Sequence, residues 1–68
     1  MISARNQLPA IVKSVKLGTV MAEIVMTVAG DYEVVAAITR DSAERLELKP
    51  GDKVAAIVKA TEVMVAKG

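Results

Sequence analysis

The chain contains no cysteine and no histidine, and its only aromatic side chain is Tyr32. Without cysteine there is no disulfide to brace the fold, and the two absences together remove the usual zinc ligands. They also remove the commonest nucleophiles and the bases that work near neutral pH. The acidic residues are scattered: Asp31, Asp41 and Asp52 fall in turn-like stretches, and the glutamates lie on mixed faces. No glycine pattern of a dinucleotide or phosphate loop is present. The expectation is therefore a protein that is not an enzyme, with no cofactor and no metal held directly by side chains. No apolar run approaches the roughly 20 residues of a membrane-crossing helix, and residues 1–6 lack the apolar core of a signal peptide. A cytoplasmic protein with no membrane partner is expected. Nine basic residues against eight acidic leave a net charge of +1. That is too balanced for the basic stripe of a nucleic-acid binder, and one aromatic cannot form a stacking platform for single strands.

What is present is aliphatic. Hydrophobic residues make up 53% of the 68 positions, with a mean hydropathy of +0.41, in a chain short enough to form one domain over residues 1–68. A domain of about 60 residues buries only about 60% of its unfolded surface. It needs a brace, and partner subunits are the one that remains. The apolar pattern has period two, the signature of strands. In residues 20–28 the even positions Val20, Ala22, Ile24, Met26 and Val28 are all apolar, whereas the odd positions mix Met21, Glu23, Val25, Thr27 and Ala29. One face suits a core; the other is too apolar for open water and suits an interface. An earlier strand covers residues 9–17, ending at Gly18. Gly30-Asp31 is a hairpin turn leading to a strand over residues 32–38.

One helical signal follows, with Asp41 as cap and Glu44 as its reciprocal partner. Lys49-Pro50-Gly51-Asp52 is a turn. Residues 54–58 and 63–66 make a final strand pair. The predicted fold is all-β, a small OB-like five-stranded barrel with one short helix or helical turn, because closure removes exposed sheet edges.

Hydrogen-bond donors gather near the ends of these elements: Ser3, Arg5, Asn6, Thr39, Ser42, Lys59 and Thr61. A tetrahedral dianion needs about two positive charges and several directional donors, which an arginine, a lysine, hydroxyls and amides provide. Amides of the turn near Ser42 would add to them. Each residue also has a plainer role open to it: Ser42 as a cap, Lys59 as a solvated strand residue, Arg5 as part of a loose end.

The opening Ser3-Ala4-Arg5-Asn6-Gln7-Leu8 resembles the Ser-Ala-Arg-Asn-x-Leu start of the molbindin, or Mop, domain. The similarity continues through Val15-Lys16-Leu17-Gly18, Ala22-Glu23-Ile24, Ile38-Thr39 and Asp41-Ser42, and ends with Val58-Lys59-Ala60-Thr61-Glu62-Val63-Met64. This resemblance implies an OB-like barrel that assembles as a homo-hexamer, a trimer of dimers, with molybdate or tungstate bound between subunits. It assigns anion contacts to Ser3 and Arg5, to Lys59, to Ala60 through its backbone amide, and to Thr39 and Ser42 from a neighbouring subunit. Asn6 and Thr61 match the motifs and are secondary candidates. Where many members carry glycine after the opening motif, this chain has Pro9-Ala10, which bears on the path into the first strand. Storage and homeostasis of molybdenum is the implied role.

A rival reading comes from the Ile-Thr-x-Asp-Ser…Leu-Lys-Pro-Gly-Asp-Lys-Val run over residues 38–54. It resembles small swapped-hairpin transcription regulators that bind DNA as dimers. Those domains concentrate Arg and Lys before this run, where the present chain has Glu33-Val34-Val35-Ala36-Ala37. Binding DNA takes several phosphate contacts, for which no basic patch is evident.

Overall fold

Alternation becomes strand wherever one face of the alternating segment finds a core, and four segments of this chain do so. The computed structural model describes residues 6–68. It contains strands β1 (Asn6–Leu17), β2 (Met21–Val28), β3 (Tyr32–Thr39) and β4 (Lys53–Val58), with helix α1 (Arg40–Arg45) between β3 and β4. A 3-10 turn at Ala60–Glu62 follows β4. The strands form one antiparallel sheet in the order β3-β2-β1-β4. The all-β architecture with one short helix is thus as expected. Residues 63–66, anticipated as the closing strand, form no ladder, so β3 and β4 each keep one unpaired edge among the described residues.

The core is small and built from alternate positions: Ala10 and Val12 of β1, Ala22, Ile24 and Met26 of β2, Ala43 of α1 and Ala56 of β4. Val15, Val34, Ala36, Ile38, Leu48 and Val54 pack around it. The even face of β2 is therefore the core face, as the alternation implied. Val20 is the exception. It precedes the strand and lies exposed in the turn, where its carbonyl accepts from the Arg40 amide at 2.8 Å.

In β1 the inward positions change parity, from Ala10 and Val12 to Val15. The cause is a β-bulge: Val12 pairs with Met26 and Ser14 with Val25, leaving Lys13 as the extra residue. Lys13 ion-pairs with Glu33. The Val12 amide and carbonyl bond instead to Asp52 O (2.9 Å) and Gly51 N (2.8 Å), which ties the 49–52 turn to the bulge.

Pro9 does not interrupt β1. It pairs with Ala55 of β4, and the β2 ladder begins only at Ala10. Its missing amide falls where β1 has run past β2, a position a strand tolerates.

Two turns carry local constraints. Ala29 and Gly30 both take positive φ (47° and 89°) in the β2–β3 hairpin, as tight hairpin turns require. At the β1–β2 turn the Gly18 amide donates to Met21 O at 2.7 Å, and a Cβ on Gly18 would sit 2.8 Å from that same oxygen. Since the obstacle is backbone, the turn itself must shift. Gly18→Ala is expected to cost about 1–3 kcal/mol, lowering the melting temperature by roughly 5–20 °C. An unchanged melting curve would show that the turn opens freely.

Candidate oxyanion site

The C-terminal end of β3 runs directly into α1. Thr39 is still extended (φ −70°, ψ 149°) and serves as the helix cap, its Oγ accepting from the Ser42 amide at 3.1 Å. The cap expected at Asp41 therefore lies two residues earlier. β3 pairs with β2 right up to Thr39, opposite Met21, so the helix has no room to start later. Asp41 falls inside the first turn, where its charge favours the helix dipole. The Thr39 hydroxyl donates to Ser42 Oγ at 2.8 Å. Thr39 thus spends its own proton on Ser42 and polarises that hydroxyl, leaving the Ser42 O–H free to point at a ligand. Of the amides near Ser42 anticipated as anion donors, that of Ser42 itself is occupied by the cap.

Two arginines of this corner escaped the sequence reading. Arg40 donates to Gly18 O at 3.2 Å and lies 3.6 Å from Glu44. Together with its amide bond to Val20 O, this pins α1 to the β1–β2 turn, and so positions the hydroxyl pair. Arg45 lines a shallow surface depression with Ser42 and Leu46. The legible signal was the i, i+3 spacing of Ser42 and Arg45, which puts both on one helix face.

Lys59 and Ala60 follow β4. Lys59 is exposed and extended (φ −65°, ψ 136°), and its carbonyl accepts from Glu62 N at 2.8 Å to form the 3-10 turn. Among the described residues its ammonium makes no ion pair. The amide of Ala60, first in that turn, has no acceptor within it. Thr61 is exposed in the same turn. Asn6 pairs with Val58 at the end of the β1–β4 ladder, next to the closing motif. Ser3 and Arg5 lie outside the described residues.

The register separates these two groups. Asn6 opposite Val58 marks one end of the sheet, whereas Thr39 opposite Met21, beside the Leu17–Ala22 pair, marks the other. The 12 residues of β1 run between them, more than 30 Å of strand at about 3.3 Å per residue. Among the described residues no hydrogen bond or ion pair joins Lys59 or Ala60 to Thr39 or Ser42. Among the described residues no group of three His, Cys, Asp or Glu converges as metal ligands, and no helix is long and apolar enough to cross a membrane.

Residues 2–65 match the TOBE domain. The chain belongs to the TOBE-domain family. The molbindin resemblance of its motifs holds within that family. Molybdenum-pterin-binding protein 2 of Clostridium pasteurianum is 45% identical over 64 residues, 94% of each chain. A molybdate-binding protein from Sporomusa ovata is 58% identical and superposes with a TM-score of 0.93 over 98% of both chains. The molybdate-bound form of ModG, a cytoplasmic molybdate-binding protein, is 41% identical with a TM-score of 0.83. That match covers 87% of this TOBE chain and 42% of ModG.

Proposed function

We propose that this TOBE domain, a single unit over residues 1–68, binds molybdate or tungstate between copies of itself. It acts as a non-catalytic cytoplasmic store of the oxyanion. The observation that carries the reading is the separation just described. Two donor sets, each matching a motif of the family, follow opposite ends of β1 in the strand register, and one chain's Lys59 end facing another chain's Thr39 end brings them together. Ser3 and Arg5 join the Lys59 set on the motif alone, and Asn6 and Thr61 are secondary candidates there. Alternating the two ends around a closed assembly satisfies every site, and a hexamer built as a trimer of dimers does this. The relatives named for molybdate support the choice of ion.

The pocket so formed is rich in donors: an ammonium, a guanidinium, the Ser42 hydroxyl and an amide. Such a set holds a doubly charged, acceptor-only tetrahedral ion by charge-assisted hydrogen bonds. It offers little to tell molybdate from tungstate, which match in charge and shape.

Calorimetric titration with molybdate, tungstate, sulfate and a free pterin, beside a solution mass, tests the reading. Saturable binding of the two metal oxyanions by a multimer is expected. Binding of the pterin alone, or salt-sensitive retention of duplex DNA by a dimer, would overturn it. Ser42→Ala is expected to weaken molybdate about five- to fifteenfold, the loss of one hydrogen bond to a charged ligand at roughly 1–1.5 kcal/mol. Thermal stability should fall by less than a unit substitution in the core, because the Thr39 cap accepts from the backbone amide of residue 42 and survives the change.

A further inference from the structure

Helix α1 carries two basic and two acidic side chains, Arg40, Asp41, Glu44 and Arg45, and three of them have an evident use. Arg40 holds the β1–β2 turn through Gly18 O and reaches Glu44 at 3.6 Å. Asp41 stands in the first turn, where a negative charge favours the helix dipole. Arg45 is left. It is exposed and, among the described residues, makes no ion pair and no side-chain hydrogen bond. Asp41 lies four residues before it, the order and spacing at which opposite charges pair best on a helix, yet the two do not pair. Arg45 borders instead the open depression that it shares with Ser42 and Leu46.

That depression suits an anion. Its volume is about 290 Å³, room for about ten waters at roughly 30 Å³ each, so an ion of five heavy atoms fits. Ser42 is half-buried, and its O–H is free to donate because Thr39 supplies the proton that the Ser42 oxygen accepts. Arg45 stands three residues on, one turn away on the same face. The Leu46 side chain offers no acceptor to compete for either donor. The motifs place both assigned cations, Arg5 and Lys59, in the other donor set, which leaves the Thr39 end with hydroxyls alone.

We propose that Arg45 is a further anion-binding residue, acting with Ser42 of the same chain to give the Thr39 end of the site a cation of its own. This rests on the proposed function and deepens it. A tetrahedral oxyanion held by Lys59 and Arg5 on one side turns its remaining oxygens towards the Ser42 side. A guanidinium there takes two of them at once, as its planar fork does with phosphate. The plainer role of a cation in the last helical turn, offsetting the dipole, needs only charge, which a lysine supplies equally well.

Arg45→Ala, Arg45→Lys and Arg45→Glu chains test this by molybdate calorimetry at several ionic strengths, beside melting curves and solution mass. Arg45→Ala is expected to bind molybdate about three- to tenfold more weakly, less than Lys59→Ala loses, because an exposed cation is partly screened. Its affinity is expected to fall less steeply with salt than that of the native protein, with the mass unchanged. Arg45→Lys should melt like the native protein and bind between it and the alanine variant, and Arg45→Glu should bind more weakly than Arg45→Ala. If Lys59→Ala weakens binding while Arg45→Ala keeps native affinity and salt dependence, Arg45 is only a helix-end cation and the proposal is overturned, with the oxyanion function intact. Loss of affinity accompanied by loss of mass also overturns it, making Arg45 a joint between copies. If the native protein binds neither molybdate nor tungstate, both readings fall.

Discussion

Lys59→Ala is expected to weaken molybdate binding by roughly ten- to a hundredfold, with the mass of the assembly unchanged. The size follows from the type of contact. A hydrogen bond to a charged group is worth about 1.5–3 kcal/mol, and removing the ammonium also removes one of the two positive charges proposed to neutralise the dianion. The specificity of the loss follows from the surroundings. Lys59 is exposed and makes no ion pair among the described residues. The 3-10 turn is held by its carbonyl, which accepts from the Glu62 amide at 2.8 Å, so the turn survives truncation of the side chain. Lys59→Arg keeps the charge on a planar group of different reach, and is expected to fall between the native protein and the alanine variant. Arg5→Ala is expected to act in the same sense. Calorimetry gives the affinities and light scattering the mass. Native affinity in both Lys59→Ala and Arg5→Ala would remove these residues from the site, and loss of mass with loss of binding would make Lys59 a joint of the assembly.

The sequence disclosed most of this arrangement, for a physical reason. Alternation along β2 forces Ala22, Ile24 and Met26 to one side, and a strand has no other way to bury them, so its inner face was readable in advance. The turn glycines were readable for the same kind of reason, since few residues accept positive φ. What alternation cannot report is a change of parity. Ala10 and Val12 point inward, and after the Lys13 bulge it is Val15 that does so; no residue type in that stretch announces the extra position. The helix cap was misread because Asp41 and Thr39 are both good caps. The choice between them was made by the length of the β2–β3 ladder, a tertiary fact. Residues 63–66 have the alternation of a strand but form no ladder, because alternation by itself names no pairing partner. The candidate donors could be named one by one from the sequence, but not their arrangement. That Thr39 spends its proton on Ser42, and that the two candidate donor groups follow opposite ends of β1, emerges only from register and hydrogen bonding.

Ile24→Ala is expected to leave the protein unfolded near body temperature unless assembly or ligand holds it. Ile24 is 2% exposed at the centre of the sheet, opposite Val15 on β1 and Ala36 on β3. Both neighbours pack against the core. Truncating such a residue typically costs 2–5 kcal/mol, more where the site cannot collapse. Collapse does little for a core whose other buried members are mostly alanine and valine, with no ring able to swing into the gap. A small domain of this size derives only about 3–5 kcal/mol from its core, so one substitution removes most of the margin. On the proposed function molybdate binds the folded protein and not the unfolded chain, so it should raise the variant's melting temperature by mass action, about 2.7 kcal/mol at a hundred times Kd. Val25→Ala, one residue along, is the control. Val25 is only half-buried, on the opposite face of β2 and paired with the exposed Val35. Its loss is expected to change the folded state of a chain little and the mass of the assembly more. If both variants melt alike at equal concentration, the two faces of β2 do not divide core from interface. If Ile24→Ala alone unfolds and is rescued by molybdate, folding, assembly and anion binding are one linked equilibrium.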